Sequence, residues 1–191
     1  MSSAARDTVI LIPLKALHVA KSRLRGTFGD EGAEELVRSL ASRVIAAADP
    51  RRRLVVCDDD ATAAFAEQAG AEVFFSPELT LNGAVADAYR QMGTEADQVI
   101  IAHADLLEPV GLGSAHFDNG VTLVLDHLGT GTNVLVLPTG LDFRFAFGPN
   151  SASRHESEAR RLKLAICVID DSPWRFDVDE PEDLSGSLYS I

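Results

Sequence analysis

Short, uninterrupted apolar runs alternate with helical segments along this chain, and this alternation constrains its fold more than any other feature. The first run, VILIPL at 9–14, is typical of a strand buried on both faces. Further strands are predicted at 54–57, 72–75, 98–102, 121–126, 133–137 and 164–169. Helices are predicted between them, at 31–48, at 61–68, from 81 onward and at 151–162. Strands that alternate with helices predict an α/β fold built on a mostly parallel sheet.

The predicted helices carry recognisable end signals. Three consecutive aspartates at 58–60 precede the helix at 61–68, where they can cap its N-terminus or, alternatively, bind a metal. Gly70 is expected to end that helix. Asn82 is the expected N-cap of the next helix, although its amide could also read the edge of a nucleobase.

The size and charge of the chain exclude several classes of protein. Its 191 residues predict a single domain, spanning 1–191, that can bury a full core. The net charge of −12 argues against nucleic-acid binding, which needs a basic face. No apolar run approaches the length of a membrane span, and the N-terminus lacks the layout of a secretory signal. Cys57 and Cys167 lie in apolar runs and are expected to be buried free thiols of a cytoplasmic protein.

Basic residues cluster in the loop after the first predicted strand. In an open α/β sheet, ligands lie beyond the carboxyl ends of the strands. Lys15, Lys21, Ser22 and Arg23 are therefore candidates to bind the phosphates of a nucleotide. The loop does not contain the Walker A pattern, and a solvated basic loop is the alternative interpretation.

Three aspartates from distant parts of the chain are candidate metal ligands. Asp105 follows the predicted strand at 98–102, where an α/β enzyme is able to hold magnesium. Asp177 and Asp179 alternate on an extended segment, so that both carboxylates can face the same way. Helix capping is the alternative for Asp105, and a capping box with Glu182 is the alternative for Asp179. Capping does not account for Asp177.

The stretch 129–155 places two glycine-containing turns on either side of one short strand. It opens with GTGTN at 129–133 and closes with FGPNSASRH at 147–155, which leads into a helix capped by Asn150, Ser151 or Ser153. Glycine lets a backbone approach a ligand closely, and N–H groups beside hydroxyl groups bind anionic oxygens. Arg154 and His155 can add positive charge there. We therefore expect this stretch to hold a small phosphorylated acid, to which the rest of the chain brings a nucleotide and a metal.

Taken together, several ordered motifs resemble one enzyme family over nearly the whole chain. They are IPLK at 12–15, AKSRL at 20–24, HAD at 103–105, the two turns at 129–133 and 147–155, and DVD at 177–179. The family is the 2-phospho-L-lactate / phosphoenolpyruvate guanylyltransferases of coenzyme F-420 biosynthesis. The resemblance implies a Rossmann-like nucleotidyltransferase fold of the GT-A type, shared with the molybdopterin guanylyltransferases: a three-layer sandwich with a mostly parallel mixed sheet. The chain departs from the family at 105–109, where DLLEP replaces DLP and displaces the proline without changing the metal ligand.

The resemblance also implies roles for individual residues. Magnesium would be held by Asp105, Asp177 and Asp179. The phospho-acid would be held by Thr132, Gly148 and Ser151, with Arg154 beside them. The GTP phosphates would be met by Lys15, Lys21, Ser22 and Arg23, with Lys21 also catalytic, and guanine would be read by Asn82.

The reaction implied by the resemblance joins GTP to a small phospho-acid and releases pyrophosphate. Phosphoenolpyruvate is the expected acceptor, giving enolpyruvyl-diphospho-guanosine, and 2-phospho-L-lactate and 3-phosphoglycerate are the alternatives. A glycosyltransferase or sugar nucleotidyltransferase of the same fold and a non-catalytic nucleotide sensor are competing hypotheses. The protein is expected to be a monomer or homodimer, with the transferase that accepts the product as a further partner.

Overall fold

A computed structural model describes residues 7–17, 21–78 and 80–184, without the side chain of Ser22. The strands are β1 (Thr8–Pro13), β2 (Arg53–Cys57), β3 (Glu72–Phe75), β4 (Gln98–Ala102), β5 (Val121–Leu125), β6 (Thr132–Pro138) and β7 (Ile166–Ile169). The helices are α1 (Ser22–Ala47), α2 (Asp60–Gln68), α3 (Leu81–Met92) and α4 (Ser151–Arg161). Short 3₁₀ helices span Leu112–Ser114, Pro173–Arg175 and Pro181–Leu184.

All seven strands belong to one sheet in the order β3-β2-β1-β4-β6-β5-β7. The strand β6 is antiparallel to both of its neighbours, β4 and β5, whereas the other neighbouring pairs are parallel. In the central pair of parallel strands, Ile10 of β1 lies opposite Ile100 of β4. The mostly parallel mixed sheet predicted from the sequence is therefore confirmed.

The sheet is covered on both faces, which makes three layers. Ile10 and Ile12 of β1 pack in one apolar core with α1 and α2. Val9 and Leu11 of the same strand pack in a second core with α3 and α4. Successive side chains of a strand point to opposite faces, so a continuous apolar run supplies both cores. This explains why the first run in the sequence contains no polar residue.

The chain beyond β7 returns to the carboxyl end of β4. There the N–H of Leu107 donates to the carbonyl of Phe176 at 2.8 Å, and the N–H of Val178 donates to the carbonyl of Asp105 at 3.1 Å. The Val178 side chain is fully buried in a small apolar core that it shares with α1. These contacts hold the C-terminal segment against the end of a central strand.

The helix ends partly confirm the sequence interpretation. Asp59, one of the three consecutive aspartates, caps α2 by accepting the N–H of Thr62 at 3.0 Å. Gly70, just beyond α2, has a φ of +84°, a conformation that favours glycine at a helix end. The helix α1 begins nine residues earlier than the predicted 31–48, at Ser22, and Gly29 with a φ of +70° interrupts it.

Two predictions about helix caps need correction or refinement. Asn82 is not the N-cap of α3, because Thr80 holds that position and its hydroxyl accepts the N–H of Gly83. Asn150 is the N-cap of α4, as one of the three predicted candidates. Its backbone is left-handed, with a φ of +56°, and its side chain makes no capping hydrogen bond.

The two cysteines have different environments. Cys57 in β2 is buried, as predicted, whereas the prediction that Cys167 is buried was wrong. Cys167 belongs to β7, which lies at the edge of the sheet and is shorter than the predicted strand at 164–169. Both thiols are free. Within the described ranges, no helix is long and apolar enough to cross a membrane.

Candidate active site

A cleft of about 360 Å³ opens where β1 and β4 end. The segment that follows each strand contributes to its walls, as does the C-terminal segment that docks on β4. Its polar lining includes Lys15, Lys21, His103, Asp105, Asp177 and Asp179. The carboxyl ends of parallel strands are where α/β enzymes bind their ligands. The cleft therefore brings together predicted site residues that lie far apart in the sequence.

Lys21 lies between two of the three predicted carboxylates. Its ammonium group forms an ion pair with Oδ2 of Asp105 and another, of 2.5 Å, with Oδ1 of Asp179, 158 residues away. Burial alone would lower the pKa of Lys21, but the two carboxylates outweigh burial and raise this pKa above its usual 10.5. Lys21 is therefore a permanent cation that offsets part of the negative charge of the cleft.

Asp105 and Asp177 are both enclosed, yet their pKa values move in opposite directions. Burial alone would raise the pKa of Asp105, but Lys21 and His103 nearby bring it below its usual 3.8. The pKa of Asp177 is raised by burial first, and then by the negative charges of Asp105 and Asp179. A hydrogen bond of 3.2 Å from Nδ2 of Asn133 to Oδ1 of Asp177 only partly offsets this. Asp177 is thus a carboxylate that a nearby cation would stabilise.

The donor atoms present fit a divalent cation. One ligand atom each from His103, Asp105 and Asp177 can be chosen so that all three lie within 4.8 Å of one another. Oδ1 of Asp105 and Nε2 of His103 are buried and have no hydrogen-bond partner. Carboxylate oxygens are the ligands that hard divalent cations prefer, and an imidazole nitrogen is an acceptable addition for several metals.

Asp179 is not a helix-capping residue. The predicted alternative, a capping box with Glu182, is wrong, because Oδ2 of Asp183 accepts the N–H groups of Asp179 and Glu180 at 2.8 Å. The Asp179 carboxylate is therefore available to the cleft, where it bonds Lys21. It is not part of the three-residue group formed with His103, so its role as a metal ligand stays a prediction.

The two glycine-containing turns around β6 meet in the folded chain. The N–H of Ala152, in the first turn of α4, donates to the carbonyl of Thr130 at 3.1 Å. The N–H of Ser151 donates to the carbonyl of Gly148 at 3.0 Å, and Gly148 has a φ of +112°. Arg154 is exposed at the same place, and its guanidinium bonds the carbonyl of Pro149. This arrangement brings the predicted phospho-acid residues into one region.

Thr132 and Ser151 are nevertheless almost fully buried, with exposed fractions of 1% and 2%. Neither of them, nor Gly148 or Arg154, is among the described residues that line the cleft. The ring of Phe147 connects the two regions, since its centre lies 5.5 Å from that of His103 and 4.8 Å from that of His155. The phospho-acid role of these residues stays a prediction.

His155 does not add the positive charge expected of it. It is fully buried, and burial first, followed by the charge of Arg154, lowers its pKa from 6.5 to about 4. Its Nε2 accepts the N–H of Ala146 at 3.0 Å. The proton of the neutral ring must then lie on Nδ1, which is 3.1 Å from Oγ1 of Thr132 and donates to it. Because Oγ1 of Thr132 accepts this hydrogen bond, the hydroxyl group of Thr132 can donate its own proton in a hydrogen bond to a different group.

Comparison with known proteins identifies the family. Residues 8–189 match the family described as "Guanylyl transferase CofC like". The chain belongs to this family. It is 33% identical over 189 residues to the phosphoenolpyruvate guanylyltransferase of Chloroflexus aggregans, covering 92% of this chain and 94% of that one. It is 35% identical over 187 residues to the Salinispora arenicola protein of the same name, covering 92% and 85%.

Solved structures of other proteins share the fold of this family member. A putative nucleotide-diphospho-sugar transferase from Desulfovibrio desulfuricans G20 has a TM-score of 0.70 at 15% identity, covering 86% of this chain and 80% of that one. A nucleotidyl transferase from Methanothermobacter thermautotrophicus has a TM-score of 0.66 at 15% identity, covering 94% of both chains. The family match and the fold together make this chain a nucleotidyltransferase with a guanylyltransferase role.

The basic residues of the loop after β1 in this guanylyltransferase do not all lie in the cleft. Lys15 is exposed and lines it. Arg23 is 71% exposed and forms an ion pair of 2.9 Å with Glu180. The side chain of Ser22 lies outside the described part of the chain, so its predicted contact with phosphate has no structural counterpart here. Of the predicted nucleotide-binding residues, Lys15 and Lys21 are therefore those that the cleft contains.

The amide of Asn82 is engaged with the backbone of Phe147. Its Oδ1 accepts the N–H of Phe147 at 2.7 Å, and its Nδ2 donates to the carbonyl of Phe147 at 3.2 Å. Both polar ends of the side chain are thus used to attach α3 to the segment before α4. The contact of Asn82 with guanine stays a prediction. For such a contact, the amide would have to exchange its hydrogen bonds to Phe147 for hydrogen bonds to the base.

Sequence reasoning missed two residues of the site. No role in the site was predicted for His103, although the motif HAD places it directly after a buried strand. Asn133 was noted only as part of GTGTN, but its Nδ2 bonds Asp177 and also the carbonyl of Trp174 at 3.1 Å. The position of His103 at a strand end was a usable signal, whereas the Asn133 contact joins residues 44 positions apart and has no local signature.

Proposed function

We propose that this protein transfers a guanylyl group from GTP to phosphoenolpyruvate, releasing pyrophosphate and forming enolpyruvyl-diphospho-guanosine for coenzyme F-420 biosynthesis. The observation that carries the proposal is the cleft in which Lys21, Asp105, Asp177 and Asp179 meet. Family membership and the names of the relatives support guanylyl transfer and this acceptor. The carboxylates are the groups expected at a site that handles nucleoside triphosphates.

The central physical problem is that two anionic reactants must meet in a protein whose net charge is −12. A divalent cation, proposed to be Mg²⁺, would supply charge neutralisation and orientation of the phosphates when bound to Asp105 and Asp177, with Asp179 next to them. The chain adds its own cations at the same place. Lys21 is held by Asp105 and Asp179, and Lys15 lies on the wall of the cleft.

The charged residues of the cleft would have different roles in the reaction. The ammonium group of Lys21 would donate hydrogen bonds to phosphate oxygens that gain charge as pyrophosphate leaves. Asp105 and Asp177 would orient the reacting phosphates through the cation they share. A phosphate of the acceptor is already deprotonated at neutral pH, so the attacking oxygen needs no general base.

The acceptor is proposed to lie between the cleft and the turn region where 129–133 meets 147–155, which holds Thr132, Gly148 and Ser151. The tautomer of His155 supports this placement, since it leaves the hydroxyl proton of Thr132 free to bond an anionic oxygen. The aromatic ring of Phe147 connects this turn with His103 in the cleft. Arg154 would add positive charge at the outer edge of the same turn.

The proposal is tested by incubating the purified protein with GTP, Mg²⁺ and one acid at a time: phosphoenolpyruvate, 2-phospho-L-lactate or 3-phosphoglycerate. Pyrophosphate release is expected with phosphoenolpyruvate and to a lesser extent with the other two. Faster release with 2-phospho-L-lactate would change the acceptor but keep the reaction class. If none of the three supports release above the rate without acid, the proposed function is wrong.

The variant Asp177→Asn tests whether the cleft is the catalytic site. Loss of a carboxylate that holds the cation is expected to lower kcat/KM by more than about 100-fold. The fold should remain intact, because the raised pKa of Asp177 shows that its charge is unfavourable where it lies. The matched control is Asp171→Asn at an exposed position, which should keep wild-type activity. Unfolding of Asp177→Asn, measured by circular dichroism, would instead assign Asp177 a structural role.

A further inference from the structure

His103 has a well-defined place at the rim of the central sheet. It follows β4 directly, and its backbone N–H donates to the carbonyl of Asn133 at 3.0 Å. Its ring packs against the ring of Phe147, with the centres 5.5 Å apart and the planes inclined by 49°. The backbone and the ring both have contacts of their own, and His103 lines the cleft.

The spacing of the three side chains suits a single ion. A divalent cation lies about 2.0–2.6 Å from each protein ligand, so two ligands of one ion are separated by no more than roughly 5 Å. A nitrogen of His103 and one oxygen each of Asp105 and Asp177 satisfy this limit, since they lie within 4.8 Å of one another. No rearrangement of the backbone is needed for them to share an ion.

The hydrogen bonds around the three residues leave one atom of each available. Lys21 is paired with Oδ2 of Asp105, whose Oδ1 is buried without a partner. Asn133 is bonded to Oδ1 of Asp177. Nε2 of His103 is buried without a hydrogen-bond partner. Buried polar atoms are nearly always paired in folded proteins, so unpaired atoms on two of the three residues are consistent with a place for a ligand.

We propose that His103 supplies a nitrogen ligand to the divalent cation of this cleft, together with Asp105 and Asp177. The inference rests on the proposed function in one respect only, namely that this cleft binds a divalent cation. It adds a ligand that the three-aspartate interpretation of the sequence did not contain. It also changes the chemistry of the site from oxygen ligands alone to a mixed set of nitrogen and oxygen.

A mixed ligand set has a consequence for the choice of metal. Mg²⁺ favours oxygen ligands, whereas imidazole nitrogen raises affinity for transition-metal ions, and affinity increases from Mn²⁺ toward Co²⁺ and Ni²⁺. The site is therefore expected to bind Mn²⁺ and Co²⁺ more tightly than Mg²⁺. The substitution His103→Gln should remove most of the preference for Mn²⁺ and Co²⁺ over Mg²⁺ and leave Mg²⁺ binding nearly unchanged.

The decisive experiment is electron paramagnetic resonance on the full-length protein loaded with Mn²⁺, prepared without a histidine tag. Electron spin-echo envelope modulation detects a nitrogen nucleus bonded directly to Mn²⁺. The wild type should show this nitrogen coupling, and His103→Gln should lose it while binding Mn²⁺ at least about ten-fold more weakly. The control His116→Gln, at an exposed histidine, should match the wild type in both respects.

The outcomes separate this inference from the proposed function. Nitrogen coupling that persists in His103→Gln, or Mn²⁺ bound by the wild type without nitrogen coupling, overturns the assignment of His103. Failure of the wild type to bind Mn²⁺ also overturns it. If coupling appears and depends on His103, the assignment stands even when no phospho-acid supports pyrophosphate release, and in that case only the proposed reaction is wrong.

Discussion

His155 shows how one buried side chain sets the properties of its neighbours. Its ring accepts the N–H of Ala146 and donates to the hydroxyl of Thr132, which is possible only for the neutral form with the proton on Nδ1. Protonation of Nε2 would break the bond to Ala146 and place a charge on a fully buried ring. Burial, the main cause of its low pKa, therefore also keeps the local hydrogen bonds in a single arrangement.

The low pKa of His155 predicts a pH-dependent stability. Because the folded-state pKa of about 4 lies below the usual 6.5, the unfolded chain takes up the proton first as the pH falls. The stability that neutral His155 provides is therefore complete above pH 6.5 and lost between pH 6.5 and pH 4. Relative to His155→Gln, the wild type should lose about 3 kcal/mol of unfolding free energy over this range. Urea denaturation at a series of pH values measures the difference.

The control for this prediction is His116→Gln, which changes an exposed histidine. Its unfolding free energy should follow that of the wild type over the whole pH range. A constant difference between wild type and His155→Gln from pH 7 to pH 4 would contradict the assignment of a neutral, buried imidazole.

Among the contacts between elements, the side chain of Asn82 attaches the first turn of α3 to the segment before α4. Asn82 in the first turn of α3 bonds both the N–H and the carbonyl of Phe147, 65 residues away. Phe147 itself is buried and contacts the rings of His103 and His155. The position of this segment, which leads to Gly148 and Ser151, therefore depends in part on a helix whose first residue, Leu81, lines the cleft.

The variant Asn82→Ala should loosen this attachment. Two hydrogen bonds to a buried backbone are lost, so we expect the unfolding free energy to fall by about 1–3 kcal/mol. The KM for the phospho-acid should rise more than the KM for GTP, because the segment at Phe147 leads to Gly148 and Ser151. Steady-state kinetics and urea denaturation test the two parts separately.

The matched control is Gln91→Ala, at an exposed position of the same helix. It should change the unfolding free energy by no more than about 0.5 kcal/mol and leave both KM values unchanged. If Asn82→Ala raised the KM for GTP alone, Asn82 would instead contact the nucleotide, as the family resemblance implied.

At the scale of the whole molecule, the C-terminal segment completes the site. It crosses from β7 to the end of β4, where Leu106 and Asp177 form an isolated β-bridge. This brings two carboxylates to Asp105 and Lys21, which belong to the first two-thirds of the chain. Val178 lies between Asp177 and Asp179 and points into the small core shared with α1, so its packing sets the position of both carboxylates.

The variant Val178→Ala tests the coupling between packing and site. Removing methyl groups from a fully buried position should lower the unfolding free energy by about 1–3 kcal/mol. The affinity for Mn²⁺ should also fall, because Asp177 loses its fixed position beside Asp105. Chemical denaturation and Mn²⁺ titration followed by electron paramagnetic resonance measure the two effects.

Val168→Ala is the control of identical chemistry, since Val168 lies on the edge strand β7 and is 42% exposed. It should change the unfolding free energy by less than about 0.5 kcal/mol and leave Mn²⁺ affinity unaltered. Loss of stability in Val178→Ala without any change in Mn²⁺ affinity would show that the two carboxylates are positioned by other contacts.

The strands, most of the helices and the fold class were predictable from local patterns of apolar residues. Burial on both sheet faces requires continuous apolar runs, and this local pattern is visible without knowing which strands are neighbours. The position of Asp105 after a central strand was predictable for the same reason. The link between Asp105 and the aspartates at 177 and 179 was a hypothesis from their carboxylate chemistry and positions, and the family resemblance implied the same set.

The strand order, the antiparallel direction of β6 and the contacts that make the cleft are visible in the folded chain but not in any local pattern. The tertiary structure also revealed His103 and Asn133 beside Asp177, the bond between Asn82 and Phe147, and the buried, neutral state of His155. Residues such as Lys21 and Asp179 are 158 positions apart, and no local pattern records their meeting. Such contacts follow from how two apolar cores and a docked C-terminal segment pack together, which is a property of the whole chain.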